Sequence, residues 1–310
     1  MTHTEEKAMR HPELRNRTYV APTAQHHELM IVPDLSRVTI LGDTDKEEVV
    51  KFLSMRPVHT VVMTSFINDN GLESELNRGR FYGYRNTEGT LEGVALIGHS
   101  TLLEARSDEA LRAFAHIAKS SDTPVYMIMS SGNNADRFWN YFRNGVSTPR
   151  LACNELLFEV AFPYLVKDCK WAIRLATADE LQQVAEAQAE VALIESGVCP
   201  LERDREGFLA RVLRRIEQGR VFVVVEDGKL LFKADIIAET DEVIYLEGVY
   251  VAPERRGEGV GSACLASLTL ELLERAANIC LLSNVDHKGA HRSFAKAGFR
   301  HTDQCLTLFV

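Results

Sequence analysis

Apolar and polar positions along the second half of the chain follow two periods, and each change of period marks an element. Val221-Phe-Val-Val-Val-Glu226 reads as a strand, Asp227-Gly228 as a tight turn, and Leu230 to Ile237 as the returning strand of a hairpin. Val243 to Val251 is a third strand. A long helix then runs from Gly259 to about Ala277 with Leu265, Leu268, Leu272 and Leu273 on it. A strand at 280–284, a helix near 288–297 and a closing strand at Cys305–Val310 follow. Ahead of the hairpin, Trp171–Leu175 is a strand, and Thr177 caps a helix through Glu190. Leu209, Val212, Leu213 and Ile216 mark a second amphipathic helix ending at Gly219.

The first half repeats this order with less regular patterning. Val38–Leu41 is a short strand, and Thr44 opens a helix to Met55. Phe81–Tyr84, the turn Asn86–Gly89 and Leu91–Ile97 form a hairpin, with a short strand at Leu102-Leu103. Asp108–Lys119 is helical, Val125–Met129 a strand and Asn133–Phe142 a helix; Leu156–Phe162 would close the sheet. The two halves share an order of elements rather than identity. The pattern predicts an α/β chain of two tandem domains, each a central, mostly antiparallel mixed sheet flanked by helices. The expected division is a flexible polar tail at 1–30 with no signal-peptide pattern, a first domain at 31–165 and a second at 166–310. The joint falls at Phe162-Pro163-Tyr164 to Lys170.

The most informative stretch joins the third strand of the second half to its long helix: Val251-Ala-Pro-Glu-Arg-Arg-Gly-Glu-Gly-Val-Gly-Ser262. Glycines at 257, 259 and 261 allow positive φ and leave backbone N–H groups unshielded. A helix N-terminus adds unpaired N–H groups and a partial positive charge. Together they form a cradle for a phosphate or pyrophosphate. A Walker loop would need a lysine after the glycines, and none follows. A dinucleotide fingerprint would need a third glycine or alanine where Ser262 stands, and a carboxylate after the strand that ends at Asn284.

Arg256-x-x-Gly259-x-Gly261 instead resembles the R/Q-x-x-G-x-G/A signature of the GNAT superfamily of acyl-CoA N-acyltransferases. The resemblance covers roughly Trp171 to Val310. It includes "LEGVYVAPERRGEG" as strand and pyrophosphate loop, and "LLSNVDHKGAHRSFAKAGF" as the following strand, helix and Gly-Phe. What it implies is an N-acetyltransferase in which a primary amine attacks the thioester of acetyl-CoA directly. Arg256, Gly257, Gly259, Val260, Gly261 and Ser262 would hold the pyrophosphate. The backbone of Val249 and Val251 would pair with the pantetheine arm, Asn284 would bond it or cap a helix, and Phe294 would pack against it. Gly248, inside a strand, suggests a bulge that opens the slot. Glu247, on the same strand face as Tyr245, is the candidate base, with Tyr245 ordering a water; a hydrogen-bonded or surface glutamate is the other reading. The family's tyrosine acid is replaced by Phe294, which has no proton to give. That substitution keeps open a second function, an acyl-CoA-binding sensor with weak or no transferase activity.

In the first half, Glu104-Ala-Arg-Ser-Asp108 stands where the glycine loop would be, so this half is expected to bind no cofactor. It resembles a degenerate acyltransferase domain; an unrelated α/β domain is the alternative. The net charge of −9 argues against nucleic acid and mildly favours a cationic acceptor, either a small-molecule amine or a protein amine. No apolar run reaches the length of a membrane span. Six cysteines without a C-x-x-C pair read as reduced thiols of a cytoplasmic protein. His287 and His291 are four apart but lack an H-E-x-x-H context, so no metal is expected. The state would be monomer or homodimer.

Overall fold

The computed structural model describes residues 32–144, 147–162 and 169–310. The expected tail at 1–30 and most of the joint lie outside these residues. Among them, twelve strands join in one sheet. The first half supplies β1 (Val38–Ile40), α1 (Lys46–Leu53), α2 (Pro57–Asn70), β2 (Gly79–Arg85), β3 (Leu91–Gly98), β4 (Ser100–Ala105), α3 (Asp108–Ser120), β5 (Met127–Ser131), α4 (Asn134–Phe142) and β6 (Leu151–Val160). The second supplies β7 (Arg174–Leu175), α5 (Leu181–Ser196), α6 (Pro200–Arg203), α7 (Arg205–Glu217), β8 (Val221–Glu226), β9 (Lys229–Glu239), β10 (Val243–Val251), α8 (Val260–Leu272), β11 (Asn278–Asn284), α9 (Lys288–Lys296) and β12 (Arg300–Phe309). All pairings are antiparallel except β4 with β5 and β10 with β11, which hold equivalent places in the two halves.

The halves exchange their last strands. The sheet order is β1-β2-β3-β4-β5-β12-β6-β11-β10-β9-β8-β7. β6, expected to close its own half, pairs with β11 over Ile279↔Val160 to Asn284↔Glu155. β12 pairs with β5, from Cys305↔Ser131 to Phe309↔Met127, and with β6 along its other edge. The cores follow the strands: Leu306 and Leu308 pack with Phe114, Phe138 and Trp139 of the first half. Phe158 and Val160 pack with Leu246, Leu265 and Phe294 of the second. Each sheet thus meets, at the edge it would otherwise expose, a strand from the other half.

Helix α2 is absent from the periodicity and has a physical reason to be. Val61 packs against Leu157, Tyr245 and Cys280 under the second half, while Met63 and Ile67 pack into the first-half core. A helix buried on two sides carries apolar residues all round and no amphipathic stripe. Pro57 at its first position supplies the start signal. Polar contacts tie the same seam: Arg220 grips Asp69 with bonds of 2.6 and 3.0 Å, and the Glu239 N–H donates to Ser65 Oγ at 3.1 Å.

The exchange predicts a single unfolding unit. Circular dichroism and tryptophan fluorescence should give one coincident urea transition, although Trp139 and Trp171 lie in different halves. Leu308→Ala, near the end of the chain but fully buried in the first-half core, should lower its stability by about 3 kcal/mol. Two separated transitions would show that the halves fold independently.

Candidate active site

Strands β10 and β11 pair only from Val243↔Asn278 to Leu246↔Leu281 and then part. On its other edge β10 loses register with β9 between Glu247 and Tyr250. Gly248 sits in this gap at φ +60°, the bulge expected there. A cleft of about 670 Å³ opens where the strands diverge. Glu247, Val249, Val251, Arg256, Gly257, Gly259, Val260, Gly261, Ser262 and Phe294 all line it.

The roof of the cleft is the glycine loop. Gly257 and Gly259 adopt φ of +87° and +86°, and a Cβ on either would meet no atom within 4 Å. Their requirement is therefore the left-handed backbone rather than space. Gly261 is held by space: a Cβ there would lie 3.1 Å from Val251 Cγ2, so glycine lets the first turn of α8 rest on β10. Gly259 caps α8 without a side chain, and no acidic residue stands in its first turn. The first-turn N–H groups and the positive helix end face the cleft uncompensated. The Ser262 hydroxyl donates to Gly259 O at 3.1 Å.

The arginines brace the loop. Arg256 donates through Nε to Val251 O at 2.9 Å and through Nη2 to Glu190 at 3.0 Å, with its guanidinium over the Tyr250 ring. Arg255 pairs with Glu226 and Glu258, each at 2.9 Å. Both arginines line the cleft beside the backbone amides, with their guanidinium groups paired to carboxylates.

Tyr245 is buried and does not line the cleft. Its hydroxyl donates to Glu247 Oε1 at 2.7 Å, so it orients the carboxylate from behind. Burial, then the charges of Glu247 and Glu155, push its phenol well above the ordinary range. Asn284 is outside the lining; its Oδ1 accepts from the Asp286 N–H at 2.9 Å in the turn into α9. Phe294 is buried with its ring edge toward Phe158, centroids 5.5 Å apart. His291 Nε2 is held by Asn284 O at 3.0 Å, whereas His287 reaches the cleft. Among the described residues no group of three or more His, Cys, Asp or Glu is arranged to hold a metal ion.

Two further carboxylates sit within electrostatic reach of Glu247. Glu195, on the last turn of α5, lines the cleft and is open to it. Crowding by protein on its inner side, then repulsion from Glu247 and Glu155, raise its pKa. Glu155 comes from β6, across from Asn284 and Cys305. Desolvation, with repulsion from Glu247, pushes it up to about 7, against a bond from the Thr307 hydroxyl at 2.5 Å. Sequence reasoning missed both. Glu195 follows an apolar helical stretch read as ending at Glu190. Glu155 stands among apolar strand residues, which is a signal, but nothing local says that its strand joins the other half.

At the equivalent parting of β4 and β5 the cavity, lined by Leu102, Leu103, Met129, Ser130 and Ser131, is only about 40 Å³, because side chains bridge the gap. Beyond Leu102↔Met129, the Ser130 hydroxyl donates to Leu103 O at 2.8 Å across the parting strands. Arg56 bonds Glu104 at 3.2 Å and Ser131 at 2.9 Å over the same gap. Only Arg106 and Ser107 separate β4 from α3, and Ser107 Oγ accepts from the Ala110 N–H, occupying the helix start.

A raised carboxyl pKa favours the protonated form in the folded state. Its contribution is therefore present below the ordinary value of 4.5 and is lost as pH rises through about 7. Glu155→Gln, which can still accept from Thr307, should become progressively more stable than the parent from pH 5 to 8. Melting temperatures of the two proteins across that range measure it; parallel curves would refute the buried ionisation.

Residues 217–301 match the acetyltransferase (GNAT) domain family. No curated protein matches. Solved structures resemble the whole chain. A Drosophila protein superposes with TM-score 0.64 at 12% identity, covering 88% of this chain and 98% of that one. A GNAT-family acetyltransferase from Colwellia psychrerythraea gives 0.55 at 15% identity, with 88% and 98% covered. A tandem GNAT protein from the clavulanic acid biosynthesis pathway gives 0.54 at 13% identity over the same shares. At these identities the likeness is one of fold, and it spans both halves. Within the second half, residues 217–301 thus match the GNAT acetyltransferase domain model, and the chain as a whole has the fold of tandem GNAT proteins.

Proposed function

We propose that the protein moves an acetyl group from acetyl-CoA to a primary amine, at one site per chain. The observation that carries this reading is the cleft between β10 and β11, roofed by unpaired amides and floored by Glu247. The loop amides and the α8 N-terminus suit the pyrophosphate. The parted edges of β10 and β11 suit an extended arm that pairs as a strand does. The thioester supplies an acyl group activated toward an amine, so no covalent enzyme intermediate is needed.

The chain's own groups supply proton handling and orientation. An alkylammonium must lose a proton before it can attack. Glu247 lines the cleft and is fixed by Tyr245, which places a basic oxygen where the amine would enter. Glu195 beside it, its pKa pushed up to about 8, is largely protonated at neutral pH and offers an acceptor a hydrogen-bonding group rather than a charge. Phe294 contributes a wall to the cleft and no proton, and His287, which reaches the cleft, is mostly neutral imidazole and a poor acid, so the departing thiolate takes its proton from water. Burial holds His287 below the ordinary histidine range. We place the protein in the cytoplasm on its cysteines: all six are free thiols, with Cys169 and Cys264 sulfurs 4.0 Å apart and unjoined.

The direct test is release of free thiol from acetyl-CoA in the presence of diamines, polyamines, amino acids and lysine peptides. Turnover with at least one cationic amine is expected. Tight acetyl-CoA binding with no thiol release for any amine would favour the sensor reading.

Gly259→Asp should abolish acetyl-CoA binding by calorimetry, because the position needs φ +86° and a carboxylate there would repel the phosphates. A folded variant with unchanged affinity would refute the loop assignment. Glu247→Gln should lower kcat by roughly 10²-fold while leaving acetyl-CoA affinity in place. A folded variant with unchanged kcat would exclude Glu247 as the base.

A further inference from the structure

Lys233 is a lysine with no exposed surface in the middle of β9. Its three ammonium protons meet three acceptors: Gln188 Oε1 at 2.7 Å, Asp235 Oδ1 at 2.7 Å and the carbonyl of Gly248 at 3.2 Å. Asp235 is bonded in turn by Arg215 at 3.0 Å. A buried cation costs desolvation energy that an apolar side chain of the same length would avoid. Burial lowers the Lys233 pKa on balance, with the charge and hydrogen bond of Asp235 acting against it. Packing alone gives no reason for a charge at this position.

The carbonyl it bonds belongs to the bulge. Gly248 and Val249 have no partners in the β9–β10 register, and the β10–β11 ladder has ended at Leu246. Crowding restrains this peptide as well: a Cβ at Gly248 would lie 2.3 Å from Gln188 Oε1 and 2.7 Å from Lys233 Nζ. The Gly248–Val249 bond is trans, so its C=O and N–H point in opposite directions within one plane. Fixing the carbonyl on the ammonium therefore turns the Val249 N–H away from Lys233, on a residue that lines the cleft. A cation on the carbonyl oxygen also draws electron density from the amide and makes its N–H a stronger donor.

We propose that Lys233 is a positioning residue that aims and polarises the Gly248–Val249 amide, so that the Val249 N–H donates to the acyl oxygen in the cleft. This rests on the acetyl-transfer reading above. It assigns the buried ion cluster of α5, α7 and β9 a task in catalysis at one remove from the substrate. Asp235 and Gln188 complete the ammonium's bonds, and Arg215 balances Asp235.

Acetyl-CoA labelled with ¹³C at the acetyl carbonyl reports the contact without turnover. On the parent protein, binding should move the carbonyl resonance downfield, as a hydrogen bond to its oxygen requires. Lys233→Met should retain acetyl-CoA affinity by calorimetry while the displacement falls to roughly half or less. Lys233→Gln, which keeps a neutral donor, should fall between, and it stands in if the methionine variant does not fold. Asp235 keeps Arg215 in both. Phe232→Leu, a packing change next to Lys233 on β9 but in the apolar core, should keep the parent displacement. Folded Lys233 variants with the full displacement would overturn the proposal. So would a Phe232→Leu protein that loses it equally, since the effect would then be packing. Failure of the parent to bind acetyl-CoA would instead overturn the reading of the site, and this inference with it.

Discussion

The exchange of β6 and β12 is the constraint on which the rest of the structure depends. Without β12, strand β5 would end its sheet as an open edge, and without β6 the same would hold for β11. Each exchanged strand also brings core residues: Leu306 and Leu308 one way, Phe158 and Val160 the other. Apolar burial and ladder pairing are thus satisfied together, by the same two strands, between the halves rather than within them. The exchange also sets the site's surroundings. β6 carries Glu155 to within reach of Glu247, and α2 lies beneath Tyr245.

The cleft itself is made by interruptions of regular pairing. Gly248 breaks the β9–β10 ladder, the β10–β11 ladder stops at Leu281, and Gly257 and Gly259 take left-handed angles before α8. Each interruption frees backbone polar groups that would otherwise be used up in secondary structure. Those on the inner side are satisfied by buried charge, as the Gly248 carbonyl is by Lys233. Those on the outer side are left to the cleft. The first half has the same parting of parallel strands, but Ser130, Arg56 and Glu104 span it. The contrast shows that topology alone does not make a cleft; the side chains and loop at the parting decide whether it stays open.

Much of the site was legible because its signals are local. A glycine at a left-handed position, a bulge glycine in a strand and an arginine at a fixed offset are consequences of a few neighbouring bonds. So the loop, the bulge and the strand bearing Glu247 could be placed from the residues alone. Helix α2 was illegible because burial on two sides erases the amphipathic period. Arg256 could be assigned to the loop, but not its bonds to Val251 O and Glu190, which depend on how α5 packs. The same holds for Asn284, whose side chain is taken up by the turn into α9.

By itself the sequence determined most of the elements, α2 excepted, their order in two similar halves, and the glycine loop before α8 with one candidate carboxylate, because hydrophobic period and glycine backbone freedom act over a few residues. Only the tertiary structure decided which strand lies beside which. Alternation makes a strand able to pair but does not name its partner, since β6 and β12 offer either half an apolar face and an open ladder. From that choice followed the company Glu247 keeps, the burial of Lys233 against the bulge and the narrow, bridged slot of the first half, all of which join residues far apart in the chain.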